Sequence, residues 1–592
     1  MKKFAFLLII ASAVLFSCKK ALEEKLISGI SYGFYETPEG IEGGLTAAYT
    51  SLRWGYSGET LHPLQELGTD TYQEGQDGGL KLTLNRYQST LNPSFTTFYD
   101  FWSNYYTGIS RANVVITSLS NLKAGMTEDQ KNIRIGEARY LRGLYYFYLV
   151  QTFGKVPIIT SLDFSAGTDF KRSPVPQLYD LIISDLKFAS EKLPLTQKDY
   201  GRATRGAAQH LLALAYLTRG SAVNENRGQK PSDLDSAAYL ADQVIASNVY
   251  KLVPDFKALW NIDNQKNEEV IFAVQYSQTL LYNNNVGNWI HLFYTMVYDN
   301  KPGMLRDVQY GRPYRRVRPT DFTMYDLFDK KNDSRFYKTF KTVWHSNNPN
   351  NIPKWAVQGG FTPPADLVGK PKFKVGDTAI WITMERLSPG INKDSVYASR
   401  PYYYIPRDRQ TDAEFPQNFK FYDNKRPAAN EQNGTRDFFV FRLAETYLIA
   451  AEAYGRKGNF VKAAERLNEV RKRAAYKAGE EKTGEFWRVD GGNFNDRFKS
   501  TESDMLVTPA GLSTGSFVDF MLDERAREMH GECNRWWDLV RAEKLFERVK
   551  KYNPEAAPNI KPLHKLRPIP QNHIDRLNPK GKVDEEQNEG YY

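Results

Sequence analysis

Cysteine is scarce in this chain: only Cys18 and Cys533 occur among 592 residues. Small secreted domains are commonly stabilised by several disulfides, and two cysteines cannot build such a framework. If Cys18 is modified as argued below, no disulfide is possible at all. We therefore expect Cys533 to be a buried core residue.

Histidine is also rare, with seven residues. None forms an HExxH pair or a tight cluster, so the sequence favours no metal site and implies no cofactor. The pattern Gly511-Leu512-Ser513-Thr514-Gly515 matches the nucleophile elbow of hydrolases, which needs a strand before the serine. Pro509 stands two residues before the pattern and argues against a strand there. We interpret the segment as a linker and predict no catalytic residue.

The amino terminus carries an apolar run from Phe4 to Phe16, which is shorter than the roughly 20 residues of a membrane-spanning helix. Lys2 and Lys3 precede the run, and this combination is typical of a signal peptide. Leu15-Phe16-Ser17-Cys18 resembles a bacterial lipobox, in which the cysteine becomes the lipidated first residue. We predict a signal peptide at 1–17, lipid attachment at Cys18 and a tether at 18–29. An ordinary secretory signal with a chance cysteine is the alternative.

The net charge of +10 is modest for this length, and a diffuse excess of this size usually serves solvation. One stretch, Arg312 to Pro319, interleaves basic and aromatic residues as nucleic-acid surfaces do. An exported lipoprotein rarely meets nucleic acid, so we predict no such partner. We interpret the stretch as a solvated loop or as a patch that faces an acidic partner or a glycan.

Most of the chain shows helical spacing of its apolar residues. Helices are predicted near residues 98–119, 133–153, 178–189, 205–219 and 234–245, and Gly154 is placed to cap the second of them. A small residue, a tyrosine and a glycine recur at one spacing, as Ala213, Tyr216 and Gly220 and as Ala451, Tyr454 and Gly458. This pattern indicates tetratricopeptide-like helix pairs.

The segment from 270 to 438 differs, because it has many prolines, scattered aromatic residues and no sustained helical period. We predict a mainly α fold in which helix pairs form a scaffold and this segment forms a large irregular excursion with short strands, beginning with the strand Val270 to Val274. The predicted domain is 30–592, with the scaffold at 30–269 and 439–592. Irregular excursions on a regular frame often carry function.

The stretch from Asp523 to Arg541 combines apolar residues at helical spacing with arginines and acids on the other faces. Pairs such as Asp523 with Arg527 and Glu524 with Arg527 are expected to add only about 0.2–0.5 kcal/mol each if exposed. Packing of Trp536 and Trp537 is expected to matter more. The stretch is therefore interpreted as part of the scaffold.

Aromatic residues make up 14% of the chain, which leaves rings for a binding surface after a core is filled. Rings in loops can stack on the apolar faces of sugars while polar side chains bind the hydroxyls. Core packing is the alternative for each single ring. The candidate ligand-binding residues are Tyr72, Tyr87, Trp289, Tyr294, Tyr298 and Trp344.

Five blocks of the chain, in the same order, resemble the SusD/RagB family of surface lipoproteins from Bacteroidetes. The blocks are Trp102 with Tyr105, Ile109 and Asn113; Glu137-Ala138-Arg139 with Gly154-Lys155-Val156-Pro157; Arg442 to Leu448 with Leu467 to Ala474; Asp523 to Arg541; and Leu566-Arg567-Pro568-Ile569-Pro570 with Gln587, Asn588, Gly590 and Tyr591. Two departures are Cys533, where the family often has glycine, and Glu589, where proline is common.

The resemblance implies a lipid-anchored protein at the outer membrane that binds a nutrient without catalysis. It also implies docking as a lid on a SusC-like TonB-dependent transporter, to which the protein would deliver an oligosaccharide or polysaccharide. A peptide-binding member of the same family would share every block, and an anchored hydrolase is the other alternative. Ligand residues differ between members, so none is transferred by the resemblance.

Overall fold

The structure is a computed structural model that describes residues 32–592 except 77, 78, 80, 162–167, 284, 285, 478, 479 and 481–500. The predicted signal peptide, the lipid-attachment residue Cys18 and the predicted tether lie outside the described residues. Among the helices that are described, none has the length and apolar character needed to cross a membrane.

Six long helices form the amino-terminal part of the scaffold, and each packs against the next. They are α1 (Pro38–Tyr56), α2 (Thr96–Asn121), α3 (Glu128–Phe153), α4 (Val175–Lys192), α5 (Arg205–Gly220) and α6 (Asp233–Ala246). The stack continues with α7 (Leu443–Arg456), which packs on α6, and α8 (Phe460–Ala474), which packs on α7. The predicted mainly α fold with tetratricopeptide-like pairs is confirmed.

Local signals fix the ends of these helices. Thr127 precedes α3, and its side chain accepts a hydrogen bond from the backbone N–H of Gln130 while the Gln130 side chain accepts one from the N–H of Thr127. This reciprocal capping satisfies two N–H groups that the helix itself leaves free. Gly154 ends α3 with φ of 71°, a left-handed conformation that favours glycine.

The carboxyl-terminal part adds α9 (Phe517–Glu528), α10 (Arg535–Arg541) and α11 (Leu545–Tyr552). Short helices lie between the long ones and after α11. They are Leu61–Glu66, Phe256–Leu259, Ile290–Phe293, Arg335–Thr339, Lys393–Ser399, Pro509–Ser513, Gln571–Ile574 and Val583–Glu586. Cys533 lies between α9 and α10, is 4% exposed as predicted for a core residue, and has φ of 62°.

Most of the short strands lie in the predicted excursion and form small sheets; the first strand precedes the excursion and the last begins at its end. The strands are β1 (Tyr72–Glu74), β2 (Val270–Val274), β3 (Val317–Pro319), β4 (Phe340–Lys341), β5 (Val343–His345), β6 (Thr378–Ile382), β7 (Tyr403–Ile405), β8 (Gln417–Asn418) and β9 (Phe438–Arg442). β1 pairs with β3, β4 with β8, and β5, β6 and β7 form one sheet.

The excursion starts and ends at one place, because β2 and β9 pair in antiparallel register. Regular helices were predicted to resume at Phe439. That boundary is wrong: Phe439 belongs to β9, and α7 begins at Leu443. The aromatic and β-branched residues Phe438 to Phe441 favour a strand that packs on both faces, and four of the five residues of β9 are buried.

Most charged residues of α9 and α10 are buried, so the small contribution expected for exposed pairs does not apply to them. Glu524 and Glu528 have no exposed surface, and Arg525 and Arg541 are 1% and 2% exposed. Their partners come from other elements: Glu524 and Glu528 bind Arg335, Arg525 binds Glu445, and Arg541 binds Glu452. Ion pairing therefore joins the excursion, α7 and the carboxyl-terminal helices in one interior network.

Two of the pairs proposed for this stretch have different outcomes. Glu524 does bind Arg527, with 2.8 Å between Oε2 and Nη2. Asp523 binds Arg548 of α11 and not Arg527. Trp536 is fully buried, and its neighbour Trp537 stacks on Tyr148 of α3 with ring centroids 4.8 Å apart. The interpretation of the stretch as scaffold is confirmed, although charge contributes to it as well as tryptophan packing.

Candidate functional site

Five of the six candidate ligand-binding rings lie in the core. Tyr72, Tyr87, Tyr294, Tyr298 and Trp344 are each 4% exposed or less. Large rings gain most from complete burial when their polar atoms find partners inside, and the tyrosine hydroxyls do: that of Tyr87 donates to the carbonyl oxygen of Gly68 and that of Tyr298 to the carbonyl oxygen of Gly311. These five rings therefore present no face to a ligand, and we do not retain them as binding residues.

Trp289 is the exception, because it is half-buried at the edge of the core. Its indole Nε1 donates to Oδ1 of Asn433 at 2.8 Å, and the same oxygen accepts the backbone N–H of Gly287 at 3.0 Å. Asn288 and Gly434 exchange two backbone hydrogen bonds of 3.0 Å. The indole ring is thus held in one orientation beside the segment 430–434.

A second half-buried ring, Tyr314, contacts the same segment. Its hydroxyl donates to Oε1 of Gln432 at 2.6 Å. The guanidinium groups of Arg312 and Arg316 lie 5.2 and 5.1 Å from the centroid of its ring, within the range of cation–π attraction. Tyr314 belongs to the basic and aromatic stretch that the sequence interpretation assigned to a solvated loop or a glycan-facing patch.

The two arginines are themselves held in place. Arg316 forms an ion pair with Glu59, which follows α1, with 2.7 Å between Nη2 and Oε1. Arg312 donates from Nη1 to the carbonyl oxygen of Asn430 at 2.7 Å. The segment 430–434 therefore bridges both rings, with Tyr314 at Gln432 and Trp289 at Asn433.

We call these groups the Trp289–Tyr314 surface. It comprises Glu59, Trp289, Arg312, Tyr314, Arg316, Asn430, Gln432 and Asn433. The rings offer partly exposed apolar area, the amides and guanidinium groups offer donors, and Glu59 offers acceptors. A few fixed polar groups around apolar area are typical of sites that bind small polar molecules. Fixed aromatic rings beside amides suit a ligand with both C–H faces and hydroxyl groups, as a sugar has.

Sequence reasoning found part of this surface. It selected Trp289 and noticed the stretch that contains Tyr314, but it did not select Tyr314 as a ligand residue. Gln432 and Asn433 carried no signal, because their role depends on rings more than 100 positions away along the chain. No local pattern reports such a pairing.

The nucleophile-elbow pattern around Ser513 does not have the structure of an elbow. Ser513 is the last residue of the short helix Pro509–Ser513 and donates to the carbonyl oxygen of Ala510, so it does not stand on a strand-to-helix turn. Within the described part of the chain, no group of three or more histidine, cysteine or acidic side chains is placed to hold a metal ion.

The stacked helix pairs form a helical scaffold. The excursion adds a loop-rich surface with fixed aromatic and amide groups. Residues 268–591, more than half of the chain, match the model of the SusD family, and the chain belongs to that family. Residues 66–217 match a second model, described as starch-binding associating with outer membrane.

Individual relatives agree with this membership. A SusD-like protein, P38, from Formosa agariphila is 25% identical over 92% of this chain and 93% of its own length. The crystal structure of a SusD homolog from Bacteroides thetaiotaomicron is 19% identical and superposes with a TM-score of 0.68 over 95% of this chain and 99% of its own. Surface glycan-binding protein A from Bacteroides thetaiotaomicron, solved in complex with laminarihexaose, is 19% identical with a TM-score of 0.61 over 93% and 99% of the two chains.

Proposed function

We propose that the protein is a cell-surface binding lipoprotein that captures an oligosaccharide or polysaccharide at the Trp289–Tyr314 surface. In this proposal it is anchored to the outer membrane through Cys18 and delivers the glycan to a SusC-like TonB-dependent transporter. It acts by binding, without catalysis.

The observation that carries the proposal is the pair of half-buried rings fixed by neighbouring amides, Tyr314 by Gln432 and Trp289 by Asn433. Rings held in this way lose little conformational entropy when a sugar stacks on them. The relative solved with laminarihexaose and the family description of starch binding support a glycan as the ligand class.

The ligand class is tested by a glycan array on the purified protein, followed by calorimetry with maltohexaose and laminarihexaose. We expect a neutral oligosaccharide to bind. We expect Trp289→Ala and Tyr314→Ala each to weaken that binding by about tenfold or more, since each removes a stacking face worth on the order of 1–2 kcal/mol. Unchanged affinity in both variants would show that the ligand binds elsewhere.

Trp355→Ala is the matched control. Trp355 is also half-buried and lies in the excursion, where Lys372 covers its ring at 4.7 Å, but it makes no contact with the Trp289–Tyr314 surface that the structure records. Its removal should leave glycan affinity unchanged. A panel of short peptides in the same calorimeter tests the peptide-binding alternative, which gains if peptides bind and glycans do not.

Delivery is tested in cells. A strain that lacks this protein but keeps its transporter should take up the bound glycan more slowly, and the wild-type chain should co-purify with the transporter in detergent. If uptake is unchanged and the transporter does not co-purify, the proposal is limited to glycan capture.

A further inference from the structure

A cavity of about 370 Å³ opens beside the start of the excursion. Its walls come from the segment 255–262, the helix Arg335–Thr339 and the segment 419–424, with Arg436 at its back. Arg436 stands three residues after Asn433, so one segment of the chain borders both the Trp289–Tyr314 surface and this cavity.

The cavity wall is strongly cationic. It includes Lys257, Lys338, Lys420 and Arg436, against one carboxylate, Asp255. Lys338 is neutralised by Asp255 and Glu480, at 2.9 and 2.5 Å. Lys420 is neutralised by Glu532 at 2.5 Å. Lys257 and Arg436 remain, and neither forms an ion pair with a carboxylate in the part of the chain that the structure describes.

Of the two, Arg436 is the more unusual for a charged side chain, because it is only 4% exposed. Its Nε and Nη2 atoms donate to backbone carbonyl oxygens of Tyr422 and Trp260. Its Nη1 is buried and has no hydrogen-bond partner within the described residues. Burial lowers the pKa of Arg436 to about 10, although Asp423 and Asp437 act in the opposite direction. An unsatisfied buried donor costs on the order of 1–3 kcal/mol, and a bound anion would remove that cost.

A further cation, Lys341, lies next to the wall residue Phe419. Lys341 directs its ammonium group over the ring of Phe419, 5.3 Å from the centroid, and also over Tyr310 and Trp344. Burial, together with the charge of Lys257, lowers the pKa of Lys341 to about 8. A negative charge bound near Lys257 would offset its repulsion of Lys341.

The cavity also has an apolar wall. Phe419 and Tyr422 stack with ring centroids 4.3 Å apart and planes 17° from parallel, and both rings are half-buried. Asn261 and Asn424 add exposed amides at the rim. Stacked rings, amides and unpaired cations together suit a sugar ring that carries an acidic substituent.

We propose that this cavity is a second binding site, which takes the carboxylate or sulfate group of an acidic saccharide on Arg436 and Lys257 while its ring lies beside the Phe419–Tyr422 pair. The saccharide part rests on the proposed function, whereas the preference for an anion rests on the cavity alone. The site selects among glycans by charge.

Calorimetry on the purified protein tests the proposal with three hexasaccharides: an oligogalacturonide, its methyl ester, and a sulfated galactan. The ester keeps the shape and removes the charge. We expect the acid, the sulfated probe or both to bind at least about tenfold more tightly than the ester, and the preference to shrink in 0.5 M NaCl because exposed charges are screened.

Lys257→Glu and Lys257→Gln are the informative variants, because Lys257 is exposed and its replacement should not affect folding. We expect the preference for the acidic probes to fall by about tenfold in the first and less in the second. Lys251→Gln, at an exposed lysine outside the cavity wall, should change nothing. Arg436→Gln should abolish the preference, with a melting curve to verify that it folds.

The proposal is overturned if neither the acid nor the sulfated probe binds more tightly than the ester, or if Lys257→Glu leaves the preference intact. These results leave the proposed function standing when neutral glycans still bind. If acidic probes bind in a Lys257-dependent way and neutral ones do not bind at all, the cavity is supported and the Trp289–Tyr314 surface is not. The sulfated and carboxylated probes, compared with each other, identify which acidic group the site prefers.

Discussion

Arg442 and Glu528 form an ion pair with 2.6 Å between Nη1 and Oε1, and neither side chain has any exposed surface. Arg442 also binds Glu269 and Glu532, and Glu528 also binds Arg335 and Arg473. β9 supplies Arg442, α9 supplies Glu528 and β2 is preceded by Glu269, so the network fastens the base of the excursion to the scaffold.

Arg442→Met should destabilise the protein by about 3–5 kcal/mol, because it leaves buried carboxylates with fewer partners. The free energy of unfolding from urea titration measures the loss. Arg306→Met is the control, since Arg306 and Asp299 form a partly exposed pair at 2.7 Å and such pairs contribute about 1 kcal/mol or less. Equal losses in the two variants would contradict a special role for the interior network.

The network also makes stability fall in acid. Burial by itself would raise the pKa of Glu528, but the guanidinium groups of Arg473, Arg442 and Arg335 outweigh it and bring the pKa to about 2. Because the folded pKa lies below the ordinary value of 4.5, the stabilisation is complete above about pH 4.5 and is lost as the pH falls toward 2. Urea midpoints between pH 6 and pH 3 should decline steeply in the wild type and less in Glu528→Gln, which starts from a lower value.

Glu66 should make the protein less stable as the pH rises, which is the opposite of the effect of Glu528. It has no exposed surface, its Oε1 accepts the backbone N–H of Cys533, and its Oε2 is buried with no hydrogen-bond partner among the residues described. Burial raises the pKa of Glu66 from 4.5 to about 8. Since the folded pKa is the higher one, stability at this site is complete below about pH 4.5 and is lost as the pH rises to 8.

Glu66→Gln replaces the ionisable carboxyl group with a neutral amide of nearly the same shape. We expect the free energy of unfolding of the variant, relative to the wild type, to improve by roughly 3–4 kcal/mol between pH 5 and pH 8. Urea titrations at pH 5, 6.5 and 8 provide the comparison, with Glu59→Gln as a half-buried control. A difference that stays constant with pH would mean that the carboxyl group is ionised throughout.

Gly531 should not tolerate a side chain. It has φ of 76°, and a Cβ atom there would lie 2.6 Å from the hydroxyl oxygen of Tyr294 and 2.9 Å from Nδ2 of Asn418. Gly531→Ala should cost about 1–2 kcal/mol for the left-handed backbone and more for the contacts. Gly458→Ala separates these two contributions, because Gly458 has φ of 79° and no atom within 4 Å of the same position. Equal thermal midpoints of the two variants would show that Tyr294 and Asn418 move away from the added methyl group.

Asn433 positions Trp289, so Asn433→Ala should weaken glycan binding about threefold to tenfold by freeing the indole ring. Calorimetry with the glycan identified above measures the loss. Asn430→Ala, at an exposed neighbour whose carbonyl oxygen still serves Arg312, should weaken binding less. A larger effect of Asn430→Ala would place the centre of the site closer to Arg306, whose Nη1 donates to the side chain of Asn430.

The anchor is a separate prediction. Cys18→Ala should abolish incorporation of labelled palmitate and release the protein from the outer membrane in a strain that lacks its transporter, because the proposed acyl chains provide the attachment. Cys533→Ala is the matched control and should change neither property, as Cys533 is buried. If Cys18→Ala still fractionates with the membrane in that strain, the lipid-anchor prediction is wrong.

The helix pairs could be predicted from the sequence because their signals are local. Apolar spacing, the capping residues Thr127 and Gln130, and Gly154 all act within a few positions of the helix that they shape. The strand β2 was predicted from its own residues in the same way. The end of the excursion was placed wrongly because β9 is defined by its pairing with β2 and not by local periodicity.

Local sequence could not predict which charged side chains and which aromatic rings are buried. Glu528 has the same local sequence whether it faces water or Arg442, and only the fold brings Arg335, Arg442 and Arg473 around it. A buried Tyr294 and a half-buried Tyr314 likewise look alike in sequence. Their difference comes from neighbours contributed by distant segments.

The antiparallel pairing of β2 with β9 has a consequence for how such chains can diverge. Because both ends of the excursion are tied together, its length enters folding mainly as loop-closure entropy, which grows only with the logarithm of length: each doubling costs roughly 0.6 kcal/mol. Insertions and deletions between these two strands are therefore thermodynamically mild, provided that Arg335 and Lys420 keep their carboxylate partners. One helical scaffold can in this way carry excursions of different length and ligand preference.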